Sequence, residues 1–157
     1  MNILFLDYDG VVNTPMWDDN GTHFGFGFPE DNKVNNFQCV QWVSEFCEKY
    51  RFSIVVTSTW RFSTPFYKEC LYNGGLRKTI EIVGCTLVDN SFNRELEIAS
   101  YLAMHKDIKK YLIFDDSTDF ILLKDHVIKC ETELGFNITK YAEAQELYKK
   151  LYGNNDL

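Results

Sequence analysis

The 157-residue chain has no stretch near the ~20 consecutive apolar residues that a membrane helix needs. Its N-terminus carries no basic region, and the first apolar run stops at Asp7, so no signal peptide is expected. Its five cysteines (Cys39, Cys47, Cys70, Cys85 and Cys130) form no CxxC and are odd in number. That excludes an ordinary zinc site or disulfide framework and suits reduced residues in a cytoplasmic protein. Basic residues are fewer than acidic ones, and the net charge of −7 argues against a stable complex with nucleic acid or an acidic membrane. No P-loop, GxSxG or HExxH occurs, and His23, His105 and His126 are scattered and read as structural. No repeat, low-complexity tract or linker divides the chain, so one domain over residues 1–157 is expected.

What the chain does have is Asp7-Tyr8-Asp9-Gly10, directly after the apolar run Asn2–Leu6. The run reads as a buried strand, and Gly10 permits a sharp turn at its end. In extended chain, residues i and i+2 point to the same side. Two carboxylates that close repel each other unless a cation or a shared proton neutralises them. A hard divalent cation with oxygen ligands would do so.

Strand-like and helix-like segments alternate along the rest. Helices are expected over Asn35–Tyr50, with Phe37, Val40, Val43, Cys47 and Tyr50 inward, and over Trp60–Leu71. A helix over Arg94–His105 would turn Leu96, Ala99, Leu102 and Ala103 inward. A short helix is expected over Ser117–Lys124, and a last one from Thr139 with Ala144, Leu147, Tyr148 and Leu151 inward. Strands are expected at Ser53–Thr57, within Ile80–Val88, at Tyr111–Phe114 and at Val127–Cys130. This alternation implies an α/β fold, a parallel sheet of about five strands covered on both faces. Ligands bind beyond the carboxyl ends of such strands. Asp7-x-Asp9, Thr57-Ser58 and Asp115-Asp116 all fall there.

With those segments the chain resembles the haloacid dehalogenase-like (HAD) superfamily. Four stretches in order carry the resemblance: Phe5–Asn13, Ile54–Ser58, a basic residue best matched by Arg94, and Leu112–Asp116. It implies a three-layer Rossmannoid domain with a minimal cap, acting as a phosphatase. Asp7 is then the nucleophile that becomes an aspartyl phosphate, and Asp9 the acid and base. Mg²⁺ is held by Asp7, the backbone carbonyl of Asp9 and Asp115, with Asp116 supporting. Thr57, Ser58 and Arg94 hold the phosphoryl group. An acid at Asp9 resembles phosphatases and phosphomutases rather than dehalogenases or ion pumps, and the chain lacks room for a mutase cap.

Each residue also has a plainer reading. Asp7 and Asp9 suit a turn, Asp115-Asp116 a helix cap, Asp119 a first helical turn, and Thr57 an ordinary strand position. Arg94 has rivals in Arg61, Lys78 and Lys106. Trp60-Arg61 after the Thr57-Ser58 motif resembles a small HAD branch found in RNA-repair proteins, which implies that Arg61 reaches a substrate phosphate. The plainer alternative is a packed Trp beside a solvated Arg. Residues 14–34 read as a loop or flap over the active site, rich in aromatics (Trp17, Phe24, Phe26, Phe28) that either stack on a base or pack locally. The expected substrate is a phosphorylated nucleic acid end or a small phosphorylated molecule.

Overall fold

The computed structural model describes residues 1–16, 19–21, 26 and 32–153. Most of the expected flap over 14–34 lies outside the described residues, including Trp17, Phe24 and Phe28.

Among the described residues, five strands and five α-helices follow one another. They are β1 (Asn2–Leu6), α1 (Phe37–Tyr50), β2 (Ser53–Val56), α2 (Trp60–Ser63), α3 (Tyr67–Asn73), β3 (Ile82–Cys85), α4 (Arg94–Met104), β4 (Lys110–Asp115), β5 (Val127–Lys129) and α5 (Ile138–Tyr152). The sheet is parallel throughout, in the order β3-β2-β1-β4-β5. The chain reverses its direction across the sheet between β1 and β4, the place where α/β sheets open a crevice.

Strand periodicity sorts the side chains. Leu4, Leu6, Ile54, Val56, Leu112 and Phe114 enter the larger core with α1, α3 and α5. Ile3, Phe5, Val55 and Ile113 enter the smaller core with Ile98 of α4. The result is helices on both faces of the sheet, the architecture of a HAD-like Rossmannoid. Each fully buried Leu, Ile, Val or Phe contributes about 1.5–3 kcal/mol through burial. The three long helices start alike: Asn36, Asn93 and Asn137 each accept a backbone N–H three residues on, satisfying a donor the first turn leaves open.

Several expected elements come out differently. The helix expected over Trp60–Leu71 is broken into α2 and α3, because Pro65 lies between them and cannot continue a helix. Phe37 is exposed, not inward. On α4, Leu96 is exposed while Glu95 and Glu97 are buried. Both carboxylates have captured partners: Glu97 accepts from Arg61, and Glu95 from the backbone N–H groups of Ile121 and Leu123. Those two amides explain a further difference. Bonded to Glu95, they are not available to a helix, and no helix forms over Ser117–Lys124. One 3₁₀ turn, Lys124–His126, stands at the end of that segment. The third strand is shorter than its apolar run, and Leu87 and Val88 are exposed beyond it. The inward face of α5 is as expected, with Ala144 and Tyr148 buried and Leu147 and Leu151 packed against the core.

Candidate active site

Hydrogen bonds carry the ladder one residue past the ends of β1, β2 and β3. Asp7 N–H donates to Phe114 O at 3.1 Å, Thr57 N–H to Leu6 O at 2.9 Å and Thr86 N–H to Val56 O at 3.1 Å. With Leu6 opposite Val56 and Phe114, and Val56 opposite Cys85, the residues Thr86, Thr57, Asp7 and Asp115 form a row across four strands. Neighbours in such a row are spaced ~4.8 Å. Asp7, Thr57 and Asp115 each lie two residues past a member of the smaller core, so all three face the α4 side. Arg94, the first residue of α4, reaches them from there.

Arg94 Nη1 donates to Asp7 Oδ2 at 3.0 Å and to Asp115 Oδ2 at 2.7 Å. Asp7, Asp115 and Asp116 each place a carboxylate oxygen within 4.8 Å of the others. Asp7 is 4% exposed and Asp115 fully buried. Burial pushes the Asp7 carboxyl well above its usual range, and the charge of Asp115 adds to this; Arg94 opposes both, and Asp116 raises it further. Burial likewise raises Asp115, against the pull of Arg94. For Arg94, burial disfavours the cation, but Asp7 and Asp115 outweigh it and hold the guanidinium charged. Three carboxylates around one guanidinium leave an excess of negative charge in a desolvated place. A hard divalent cation fits that donor set and removes the excess.

Gly10 makes this packing possible. It has φ +80°, and a Cβ there would lie 2.1 Å from Asp116 Oδ2. Asp116 is also held by Thr132, whose hydroxyl donates to Oδ2 at 2.8 Å. Ser117 N–H donates to Asp115 Oδ1 at 2.8 Å. No helix follows Asp115-Asp116, so the capping reading has nothing to cap. Asp119 is exposed and, without a helix there, is not a first-turn residue.

Asp9 is not one of this trio, and its carboxylate has donors of its own. It accepts from Asn13 Nδ2 at 2.9 Å and from Trp60 Nε1 at 3.2 Å. These two donors fix its orientation. Trp60 thus does more than pack against Tyr8, its edge-to-face neighbour at 5.4 Å.

Thr57 Oγ1 is buried without any hydrogen-bond partner, and so is Thr86 Oγ1. An unmade hydrogen bond inside a protein is costly. The Thr57 hydroxyl is an open donor beside the nucleophile candidate. Ser58 is buried, and its Oγ accepts from Trp60 N–H at 3.3 Å.

Arg61 is placed differently from the expectation that it reaches a substrate phosphate. Its Nη2 donates to Glu97 Oε2 at 2.6 Å, its Nε to Thr86 O at 2.9 Å, and its Nη1 to Ser58 O at 2.8 Å and to Thr57 O. The guanidinium is engaged from behind the Thr57-Ser58 turn, where it pins that turn to α4. Lys78 lies over the Tyr72 ring at 4.2 Å, and Lys106 is exposed on the chain after α4. Of the four basic candidates, Arg94 alone bonds Asp7 and Asp115. Asn13, Thr86 and Thr132 were not expected at the site. Only Asn13 left a trace in the sequence, four residues past Asp9 across a glycine turn.

The five-stranded parallel sheet with carboxylates at the ends of the adjacent strands β1 and β4 is that of a HAD-like domain. The chain belongs to the family described as the HAD domain in Swiss Army Knife RNA repair proteins, whose model matches residues 3–140. No curated protein and no solved structure matches the chain. No helix among the described residues is long and apolar enough to cross a membrane.

Proposed function

We propose that the chain is a Mg²⁺-dependent phosphomonoester hydrolase that works through an aspartyl phosphate on Asp7. The observation that carries this reading is the buried Asp7 carboxylate, held by Arg94 beside the unpartnered hydroxyl of Thr57. Asp7 and Asp115, with Asp116 and the backbone carbonyl of Asp9, would hold Mg²⁺, which would supply the positive charge that lets an anion approach an anion.

The chain's own residues do the rest. An Asp7 oxygen attacks phosphorus, and the bond from phosphorus to the ester oxygen breaks. Asp9 gives that leaving oxygen a proton. Asp9 then takes a proton from water, which attacks phosphorus and releases inorganic phosphate and the free Asp7 carboxylate. Asn13 and Trp60 keep the Asp9 carboxylate aimed during both steps. The Thr57 hydroxyl, the Ser58 amide and Arg94 hold the oxygens over which charge spreads.

The substrate class we favour is a phosphorylated end of a nucleic acid, taken up transiently, since net charge −7 disfavours a lasting complex with a polyanion. Small phosphorylated metabolites or nucleotides are the second class. The free cysteines, four of them buried, go with a reducing cytoplasm.

The test is hydrolysis of p-nitrophenyl phosphate with Mg²⁺ and with chelator. Turnover is expected only with the cation, and Asp7→Asn is expected to lose at least about 10³-fold in kcat. Parent-like turnover by Asp7→Asn would remove Asp7 as nucleophile. Mg²⁺ binding with no turnover on any phosphoester would leave a binding module without catalysis.

A further inference from the structure

A cavity of about 390 Å³ lies next to the aspartate row, walled by Phe92, Asn93, Arg94, Ser117, Asp119 and Phe120. Its volume is in the range of small-ligand pockets, roughly 300–1,000 Å³. Two of its walls also belong to the phosphate end. Arg94 bonds Asp7 and Asp115, and Ser117 N–H bonds Asp115 Oδ1. A substrate with its phosphoryl group at Asp7 therefore has this space beside it for its organic part.

Phe92 marks what that part is. It sits at φ +53°, in the left-handed region, and is 80% exposed. A bulky side chain is a genuine outlier there, and the conformation is unfavourable. Burial returns almost nothing at this exposure, so packing does not account for the ring. The turn holds a free aromatic face at the cavity, with Phe120 as a second ring in the wall. The charges in the wall point the same way. Arg94 belongs to the phosphate end, paired with two carboxylates, Asp119 is exposed, and Glu95 adds another buried carboxylate to the lining. Such a wall repels a run of phosphodiesters and accepts a neutral planar group.

We propose that this cavity is the subsite for the base of a single terminal nucleotide, stacked on the Phe92 ring while its phosphate lies at Asp7. The inference rests on the hydrolase reading and specifies its substrate side. It places base recognition on the turn before α4 rather than on the aromatic loop after Asn13.

Steady-state kinetics on adenosine 3′-monophosphate and on glycerol 3-phosphate test it, with the parent, Phe92→Ala and Phe92→Tyr. Stacking on an aromatic ring contributes about 1–3 kcal/mol per base. Phe92→Ala is thus expected to raise KM for the nucleotide about tenfold. Phe92→Tyr should restore it, and glycerol 3-phosphate should respond to neither change. Adenosine alone should alter the tryptophan emission of Phe92→Trp, a readout independent of turnover. Equal effects on both esters, or none on either, overturn the subsite and leave the hydrolase reading intact. No turnover of either ester or of p-nitrophenyl phosphate, with an adenosine response in Phe92→Trp, overturns the hydrolase reading and keeps the subsite. No turnover and no adenosine response overturn both.

Discussion

Arg61 and Glu97 form an ion pair at 2.6 Å with side chains only 2% and 5% exposed, joining the turn after β2 to the helix that carries Arg94. Arg94 sits three residues before Glu97 on that helix, so the pair sets how far Arg94 reaches toward Asp7. Breaking one side of a buried pair costs about 3–5 kcal/mol, because the remaining charge stays buried alone. Arg61→Met is therefore expected to lower unfolding stability by an amount in that range in urea titrations. A loss below about 1 kcal/mol, with a raised KM for phosphoesters, would return Arg61 to the substrate.

Thr57 gives the opposite pattern. Its hydroxyl bonds nothing in the fold, so replacing it with an isosteric apolar group removes no internal partner. Thr57→Val should match or exceed the parent in thermal stability. It should also weaken inhibition by inorganic phosphate about tenfold, the value of one hydrogen bond to a charged group. A marked loss of stability with unchanged phosphate inhibition would make Thr57 a structural residue only.

The aspartate trio predicts a pH dependence in the absence of divalent cations. Burial first, and then Asp115, raise the folded Asp7 carboxyl above its ordinary value of 3.8. The folded state then holds a proton that the unfolded chain has released, so stability falls as pH rises through the folded value. In chelator, Asp7→Asn is expected to melt above the parent at neutral pH, with the gap closing as pH falls toward 4, about the ordinary carboxyl value. Added Mg²⁺ should narrow the neutral-pH gap by stabilising the parent. Differential scanning calorimetry across pH checks both trends. A parent that melts higher than Asp7→Asn in chelator at neutral pH would refute the charge excess.

The strands and their ends were legible because apolar runs stop abruptly at Asp7, Thr57 and Asp115. A parallel sheet must place such ends at one edge. The partner of those carboxylates was not legible. Arg94, Arg61, Lys78 and Lys106 are all basic residues near helix or loop ends, and only the packing of α4 brings Arg94 to Asp7. Periodicity misled on α4 because Glu95 and Glu97 are buried through bonds to Ile121, Leu123 and Arg61, all distant in sequence. The same captured amides removed the helix expected after Asp116.

Local chemistry along the chain was enough to establish the order of elements, the parallel sheet and the carboxylates at its edge, since those follow from periodicity and from where hydrophobic runs end. Which guanidinium faces Asp7, which hydroxyls stay unpaired and which aromatic ring stands free beside the site were settled only by packing. Those outcomes depend on distances between segments far apart in sequence, and no short-range pattern encodes them.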